Sequence, residues 1–254
     1  MAFYLFDVDG VLTDTGYNIQ PEFYDWFIAW SKEHRYALVT GSTLERTKEQ
    51  VGETIVENAV FCANCMGNSF YQHGEQNVIN DFELKEDEIL FLNNKIQNSN
   101  FEIKTGNHIV KRSGSVNFSV VGRNASSSQR ELYKQYDQLH SERKQIREEF
   151  LSKFDRFDVY IGGDISIDIC LRNANKSRTV EYIWALPEYR PLYFFGDKMG
   201  EHGIDRPLAE RIEERDMGQS YEILNGFNQT KSIVSELSQS GISNTNPITF
   251  EVNI

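Results

Sequence analysis

An apolar stretch, Ala2 to Phe6, runs straight into two acids, Asp7 and Asp9, within the segment FDVDGVLT. Two carboxylates separated by a single residue repel each other, so a chain that keeps both at a strand end needs something to hold them there. A strand-end turn closed by Gly10 is the bland reading of such a pair. Asp197 argues against it, because it too follows an apolar strand, in PLYFFGD. Open α/β sheets gather ligands at the carboxyl ends of their strands. Three acids meeting there call for a cation, and oxygen donors with no nearby His or Cys pattern point to Mg²⁺.

The rest of the chain reads as alternating strands and helices at both ends, the pattern of a parallel sheet with crossover helices. Pro21 opens a helix whose Phe23, Trp26, Phe27 and Trp30 fall at i, i+3, i+4 and i+7, the stripe that packs on a sheet. YALVTG and AVFCAN supply further strands. Between them, Ser42-Thr-Leu-Glu45 has the spacing of a capping box with Ser42 as the cap. The turn before that helix therefore offers Thr40, Gly41, Ser42 and free amides to an anion. From about Asn80 to Arg172 the style changes to partly alternating strands (SVNFSVVG, FDVYIGG, SIDICL) and one long polar helix from about Ser127 to Phe154. The expected architecture is an α/β, Rossmann-like core with a parallel sheet, residues 1–79 and 173–254, interrupted by an α+β cap with an antiparallel sheet, residues 80–172. SELSQSGISNTNP reads as a connector before a last short strand.

With 254 residues, 39% of them hydrophobic, the chain has enough apolar material for one large or two modest domains. Its net charge of −12 argues against a general nucleic-acid binder, so an anionic substrate needs a local basic pocket. A basic cluster does lie between Lys104 and Arg156. No apolar run approaches the roughly 20 residues of a membrane span, and no signal-peptide pattern opens the chain, which makes a cytoplasmic location the expectation. Cys62 and Cys65 have CxxC spacing, but Cys170 is the one other cysteine and no second pair completes a zinc site. Arg143, Lys144 and Arg147 sit at helical spacing among glutamates and read as a solvated helix face, and His202 as a loop residue.

These motifs resemble those of the haloacid dehalogenase (HAD) phosphotransferases: DVDGVLT the first, LVTG with Thr40 and Ser42 the second, Lys176 the third, and FFGDKMGEHGID with Asp197 and Asp205 the fourth. All four occur in order. The inserted region is similar to the cap of eukaryotic-type phosphomannomutases, in RSGSVNFSVVGRNASSSQREL and YIGGDISIDI. Arg112, Arg123, Arg130, Ser166 and Asp168 stand where that cap carries its three arginines, its serine and its aspartate. Three departures accompany the match: Gly16 stands where the family has an arginine after its first motif, Val11 replaces a threonine, and the stretch between Asp81 and Lys111 is shorter.

The resemblance implies roles that suit the residues. Asp7 is the nucleophile, Asp9 the acid and base, and Lys176 a partner of both Asp7 and the phosphate. Thr40, Gly41 and Ser42 bind the transferring phosphoryl group. Asp7, the Asp9 carbonyl and Asp197 hold Mg²⁺, with Asp205 supporting that shell. Arg112, Arg123 and Arg130 bind a distal phosphate, and Ser166 and Asp168 the sugar. The implied reaction interconverts mannose 6-phosphate and mannose 1-phosphate, primed by a hexose 1,6-bisphosphate, with glucose phosphates also accepted. A phosphatase that lets water attack instead, and a sugar-phosphate sensor without turnover, are the competing readings. The resemblance also implies a homodimer through the cap.

Overall fold

All four side chains of the first strand, β1 (Phe3–Phe6), are buried, and their alternation divides them between two cores. A period of two sends Phe3 and Leu5 to one face of a sheet and Tyr4 and Phe6 to the other, as in a strand covered on both sides. A computed structural model of the chain describes residues 2–239. Helix α1 (Pro21–Ser31) starts on its proline and lays Phe23, Phe27 and Trp30 onto the Tyr4/Phe6 face, with Trp26 half-buried beside them. Strand β2 (Arg35–Val39) repeats the division, Tyr36 and Leu38 against Ala37 and Val39. Helix α2 (Leu44–Val51) begins one residue later than its spacing predicts: Thr43, not Ser42, is the cap, accepting from the Arg46 amide at 3.3 Å. With Leu44 as the first helical residue, Arg46 falls at the third position instead of Glu45. No reciprocal box forms, and Ser42 is left to the loop. Helix α3 (Glu53–Asn58), β3 (Cys62–Asn64) and the hairpin β4 (Ser69–Gln72) and β5 (Glu75–Val78) follow.

The chain then builds α4 (Glu86–Asn98), β6 (Ile109–Arg112), β7 (Ser115–Phe118), α5 (Ser127–His140), α6 (Glu142–Lys153), β8 (Phe157–Gly162) and β9 (Ser166–Leu171). It returns through α7 (Arg178–Ile183), β10 (Leu192–Gly196), α8 (Arg206–Glu214), β11 (Gly218–Glu222) and α9 (Gly226–Gln239). Seven strands form one sheet in the order β11-β10-β1-β2-β3-β4-β5, parallel from β11 to β3 and antiparallel at β4 and β5. The other four pair antiparallel in the order β6-β7-β9-β8. The expected mixed architecture is therefore present. Phe91, Tyr133, Ile146 and Phe150 of α4, α5 and α6 pack with Phe118, Val159 and Ile169 on one face of the small sheet. Its opposite face carries Asn117, Ser166 and Asp168 toward the carboxyl ends of β1, β2 and β10.

Three further sequence expectations change. The long polar helix is two helices, broken at Ser141, which adopts a left-handed conformation with φ 53°. Asp137 causes the break, since its carboxylate accepts from the Arg143 amide at 2.7 Å and so offers the backbone an alternative to continuing the helix. Arg143 is not on a solvated face: its guanidinium pairs with Asp137 at 2.7 Å and donates to the carbonyls of Gly163 and Ser166, bracing the turn before β9. Of the connector SELSQSGISNTNP, the first residues continue α9, and the remainder, with the expected last strand, lies outside the described residues.

A serine held at positive φ costs about 1 kcal/mol relative to glycine. Ser141→Gly is expected to stabilise the protein by about that amount, seen as a higher urea midpoint at unchanged slope; a lower midpoint would show that the serine side chain is needed at the break.

Candidate active site

Strand β1 lies between β10 and β2, so the residues following β1 and β10 emerge side by side where the connections of the sheet diverge. Phe6 is registered with Phe195, which brings Asp7 near Asp197, one residue beyond β10. Asp205, at the start of α8, completes the group: one carboxylate oxygen from each of the three lies within 4.8 Å of the others. Gly10 closes over them, and a Cβ at that position would stand 2.4 Å from Asp197 Oδ2. Lys176 is fully buried and pairs with Asp7 at 2.9 Å and with Asp205 at 2.6 Å. Lys198 pairs with Asp197 at 2.5 Å. The second oxygen of Asp205 accepts from the amides of Asp197 and Lys198, each at 3.1 Å, so this carboxylate is spent on holding its neighbours.

Burial, with the charges of Asp205 and Asp197 added, lifts the Asp7 carboxyl well above the usual carboxylate range against the pull of Lys176. Asp197 is pushed up to about 6 by burial and by Asp205, although Lys198 works the other way. For Lys176 burial opposes the charge, but Asp205 and Asp7 outweigh it and keep the ammonium protonated. Three acids face two lysines, and the cluster is short of positive charge. Hard oxygen donors without His or Cys suit a divalent cation such as Mg²⁺.

Asp9 turns away from this cluster. Its Oδ1 accepts from the Gly16 amide at 2.7 Å and from Gln50 Nε2 at 2.9 Å. In the loop after β2, Thr40 is buried and its hydroxyl accepts from the Ser42 amide at 3.1 Å. The Gly41 carbonyl accepts from Arg112 Nη1 at 2.7 Å, a bond from one sheet's residues to the other's. Arg112 also reaches Asp168 at 3.3 Å, where Asn117 Nδ2 donates to the same oxygen at 2.8 Å. Asn117 and Asp168 are registered partners on β7 and β9, which aims both the same way. Ser166, two residues before Asp168, points to the same face and donates to Gly162 at 3.4 Å. The Arg123 guanidinium is pulled down to about 10 by burial and then by Arg112 and Arg130 beside it.

These groups line one cleft of about 390 Å³, which brings together every site residue expected from sequence except Asp205, held just behind the wall. Arg46, Gln50, Asn117 and Lys198 line it as well and escaped the sequence reading. Arg46 and Gln50 stand four apart on α2, a spacing that puts them on one helix face. That was the available signal. Gln50 Oε1 and Asn117 Oδ1 are buried acceptors with no donor among the described residues, an arrangement suited to hydroxyls of a bound polar ligand. The cysteines take no part: burial pushes the Cys65 thiol up to about 11 and Cys62 up to about 12.

The sequence model of the eukaryotic phosphomannomutases matches residues 24–239. This chain belongs to the eukaryotic phosphomannomutase family. It is 32% identical to a phosphomannomutase of Oryza sativa subsp. indica over 216 residues, 81% of this chain and 85% of that protein. A probable phosphomannomutase of Caenorhabditis elegans is 29% identical over 233 residues, 86% of this chain and 89% of the relative. Among solved structures, an IMP-nucleotidase of Plasmodium falciparum superposes with a TM-score of 0.60 at 12% identity, covering 94% of this chain and 68% of that one. The C-terminal domain of a C. albicans trehalose-6-phosphate phosphatase gives 0.60 at 15% identity, over 84% and 73%. At such identities the likeness establishes the shared HAD fold alone.

In this phosphomannomutase-family cleft burial, and then the neighbouring Arg112 and Arg130, disfavour the charge of Arg123 in the ligand-free protein, and an anion bound beside it is expected to relieve that cost. Inorganic phosphate at a hundredfold excess over its Kd is expected to stabilise the wild type by about 2.7 kcal/mol. Arg123→Gln is expected to unfold no earlier than the wild type in phosphate-free buffer and to lose most of that upward Tm shift, measured by scanning calorimetry.

Proposed function

We propose that the protein is a phosphomannomutase that moves a phosphoryl group between O6 and O1 of a hexose phosphate, mannose preferred, through an aspartyl phosphate and a hexose 1,6-bisphosphate. Residues 1–79 and 173–254 act as the phosphotransfer core and 80–172 as the cap that selects the substrate. The observation that carries the reading is the opposition, across one cleft, of the Asp7 cluster and the Arg112/Arg123/Arg130 group. A mutase must hold two phosphates at once, one reacting and one parked, whereas hydrolysis of a single ester needs no second anion site.

Asp7 attacks the phosphorus of the bisphosphate, the bond to the sugar oxygen breaks, and an acyl phosphate forms on Asp7. Asp9 protonates the departing oxygen and then accepts the proton of the next attacking hydroxyl. Its anchoring by Gly16 and Gln50 keeps it pointed at the cleft and clear of the metal cluster. Lys176 holds Asp7 in line and shares its charge with the phosphoryl oxygens. Thr40, Gly41 and Ser42 receive those oxygens in the loop before α2. Asp7, the backbone carbonyl of Asp9 and Asp197 would hold Mg²⁺, which when bound neutralises phosphate charge and restores ionisation to the crowded carboxylates. Asp205 orients Asp197 and Lys176 from behind. Ser166 and Asp168, with Asn117, accept sugar hydroxyls while the arginines fix the parked phosphate. The attacking hydroxyl takes the phosphoryl group from Asp7, which breaks the acyl phosphate, frees the Asp7 carboxylate and gives the bisphosphate; the bisphosphate then turns end over end and presents its other phosphate to Asp7.

The three buried, unpaired cysteines fit a reducing compartment, and we assign the enzyme to the cytoplasm.

The test is to incubate the protein with mannose 1-phosphate, Mg²⁺ and a trace of hexose 1,6-bisphosphate while following mannose 6-phosphate and free phosphate. Isomer without phosphate release is expected. Phosphate alone would make the protein a phosphatase, and neither product would make it a binding protein. Asp7→Asn should lower turnover by at least about 10³-fold, and a near-wild-type rate would remove Asp7 as nucleophile.

A further inference from the structure

The core wall of the cleft has a cation of its own on helix α2. Thr43, by accepting from the Arg46 amide at 3.3 Å, fixes the first turn of that helix and directs Arg46 toward the loop that carries Asp9 and Gly16. Arg46 Nη2 donates to the Gly16 carbonyl at 2.8 Å, and the Gly16 amide donates to Asp9 at 2.7 Å. Gly16 therefore serves through its backbone alone. Its φ of +82° lies where an L side chain is strained, so an arginine at this position would oppose the local backbone. The positive charge missing from position 16 arrives instead from a residue thirty places later.

We propose that Arg46 is the core-side phosphate-binding arginine of this chain, closing from below the anion site that the cap arginines form from above. The proposal rests on the reading of the cleft as a hexose-phosphate site and deepens it. A guanidinium has five N–H donors, and the hydrogen bonds to Gly16 and Glu49 engage two of them. Glu49 is two-thirds exposed, at 66%, and an i,i+3 pair of that kind contributes too little to compete with a phosphate. From the opposite wall, Arg130 Nη1 comes within 3.9 Å of the point where a Cβ on Gly16 would stand. Two guanidiniums thus approach one loop from two different sheets' worth of structure. An anion between them is bound by both through charge-assisted hydrogen bonds and links the walls more strongly than the hydroxyls of a neutral sugar would. The ligand chemistry is a phosphate monoester dianion, in its parked position, and the residue acts on affinity.

Titration of glucose 1,6-bisphosphate into the Mg²⁺-loaded full chain by calorimetry tests this, with wild type, Arg46→Ala and Arg46→Lys compared. Arg46→Ala is expected to weaken binding by about tenfold to a hundredfold, the loss of one charge-assisted contact. Its mutase KM rises to match while kcat stays within about threefold. Arg46→Lys keeps helix and charge but not the fork, and is expected to recover part of the affinity. Unchanged bisphosphate affinity in both variants, or a fallen kcat at unchanged affinity, would overturn the proposal, the latter by making Arg46 a prop for Gly16 and Asp9. A wild type that binds the bisphosphate without interconverting hexose phosphates would remove the proposed reaction and leave the Arg46 comparison intact. A wild type that binds no bisphosphate would remove both.

Discussion

The buried contact of Lys176 with Asp7 and Asp205 is the interaction on which the cleft depends. Removing one member of such a cluster leaves a charge stranded in a poorly solvated interior, at a cost of about 3–5 kcal/mol. The cluster survives because its frame does not give: β1 and β10 are parallel neighbours whose inward residues, Phe6, Phe194 and Phe195, are completely buried. Fixed backbones keep the acids from relaxing apart. The carboxyls of Asp7 and Asp197 are raised first by burial and then by the neighbouring acids that this frame holds in place. Stability is sacrificed here to hold three carboxylates within reach of one cation.

The other end of the cleft carries the opposite excess. Arg112, Arg123 and Arg130 crowd one another in a chain whose net charge is −12, so the positive potential is local and the surrounding negative field steers anions toward it and away from other surfaces. One pole lacks positive charge and the other lacks negative charge. A metal ion with a phosphate satisfies the first, and a second phosphate the second. A hexose bisphosphate fits both demands together, which is why the two poles in one cleft argue for a reaction that passes through such a molecule.

Much of this was legible before any coordinates. Acids placed just after apolar strands announce where a parallel sheet ends, and the shift to alternating strands after Asn80 marks a sheet with one wet face; both are read from periodicity, which the chain states directly. Asp168 and Ser166, two apart on a strand, were bound to share a face. Less visible were contacts whose partners are backbone atoms. Arg46 bonds to the Gly16 carbonyl and Arg143 to those of Gly163 and Ser166, and no side-chain pattern betrays a carbonyl as a partner. The break at Ser141 was hidden for a similar reason, because Asp137 looks like any charged helix residue until its carboxylate takes the Arg143 amide. Shifting the α2 cap from Ser42 to Thr43 puts Arg46 at the third helical position and leaves Ser42 in the loop that lines the cleft.

The way the two sheets meet bears on mutase against phosphatase chemistry. Their large apolar cores are separate, and what joins them is a small cluster of Met66, Tyr160, Cys170 and Ile204 with a few polar contacts. Tyr17 donates to Ser127 at 3.0 Å, the Ile161 amide to His202 at 2.8 Å, and Arg112 to Gly41 at 2.7 Å. Bonds of this kind contribute about 1 kcal/mol each when water can replace them. Such a seam opens at modest cost, as it must if a bisphosphate is to turn around between half-reactions. A phosphate held by arginines from both walls favours the closed form again and shuts water out. Asp7 and Asp9 would serve a hydrolase equally well. On the proposed reaction, the acceptor would then be decided by how firmly the parked phosphate closes the seam, and arginines that never touch the reacting bond would determine which reaction occurs.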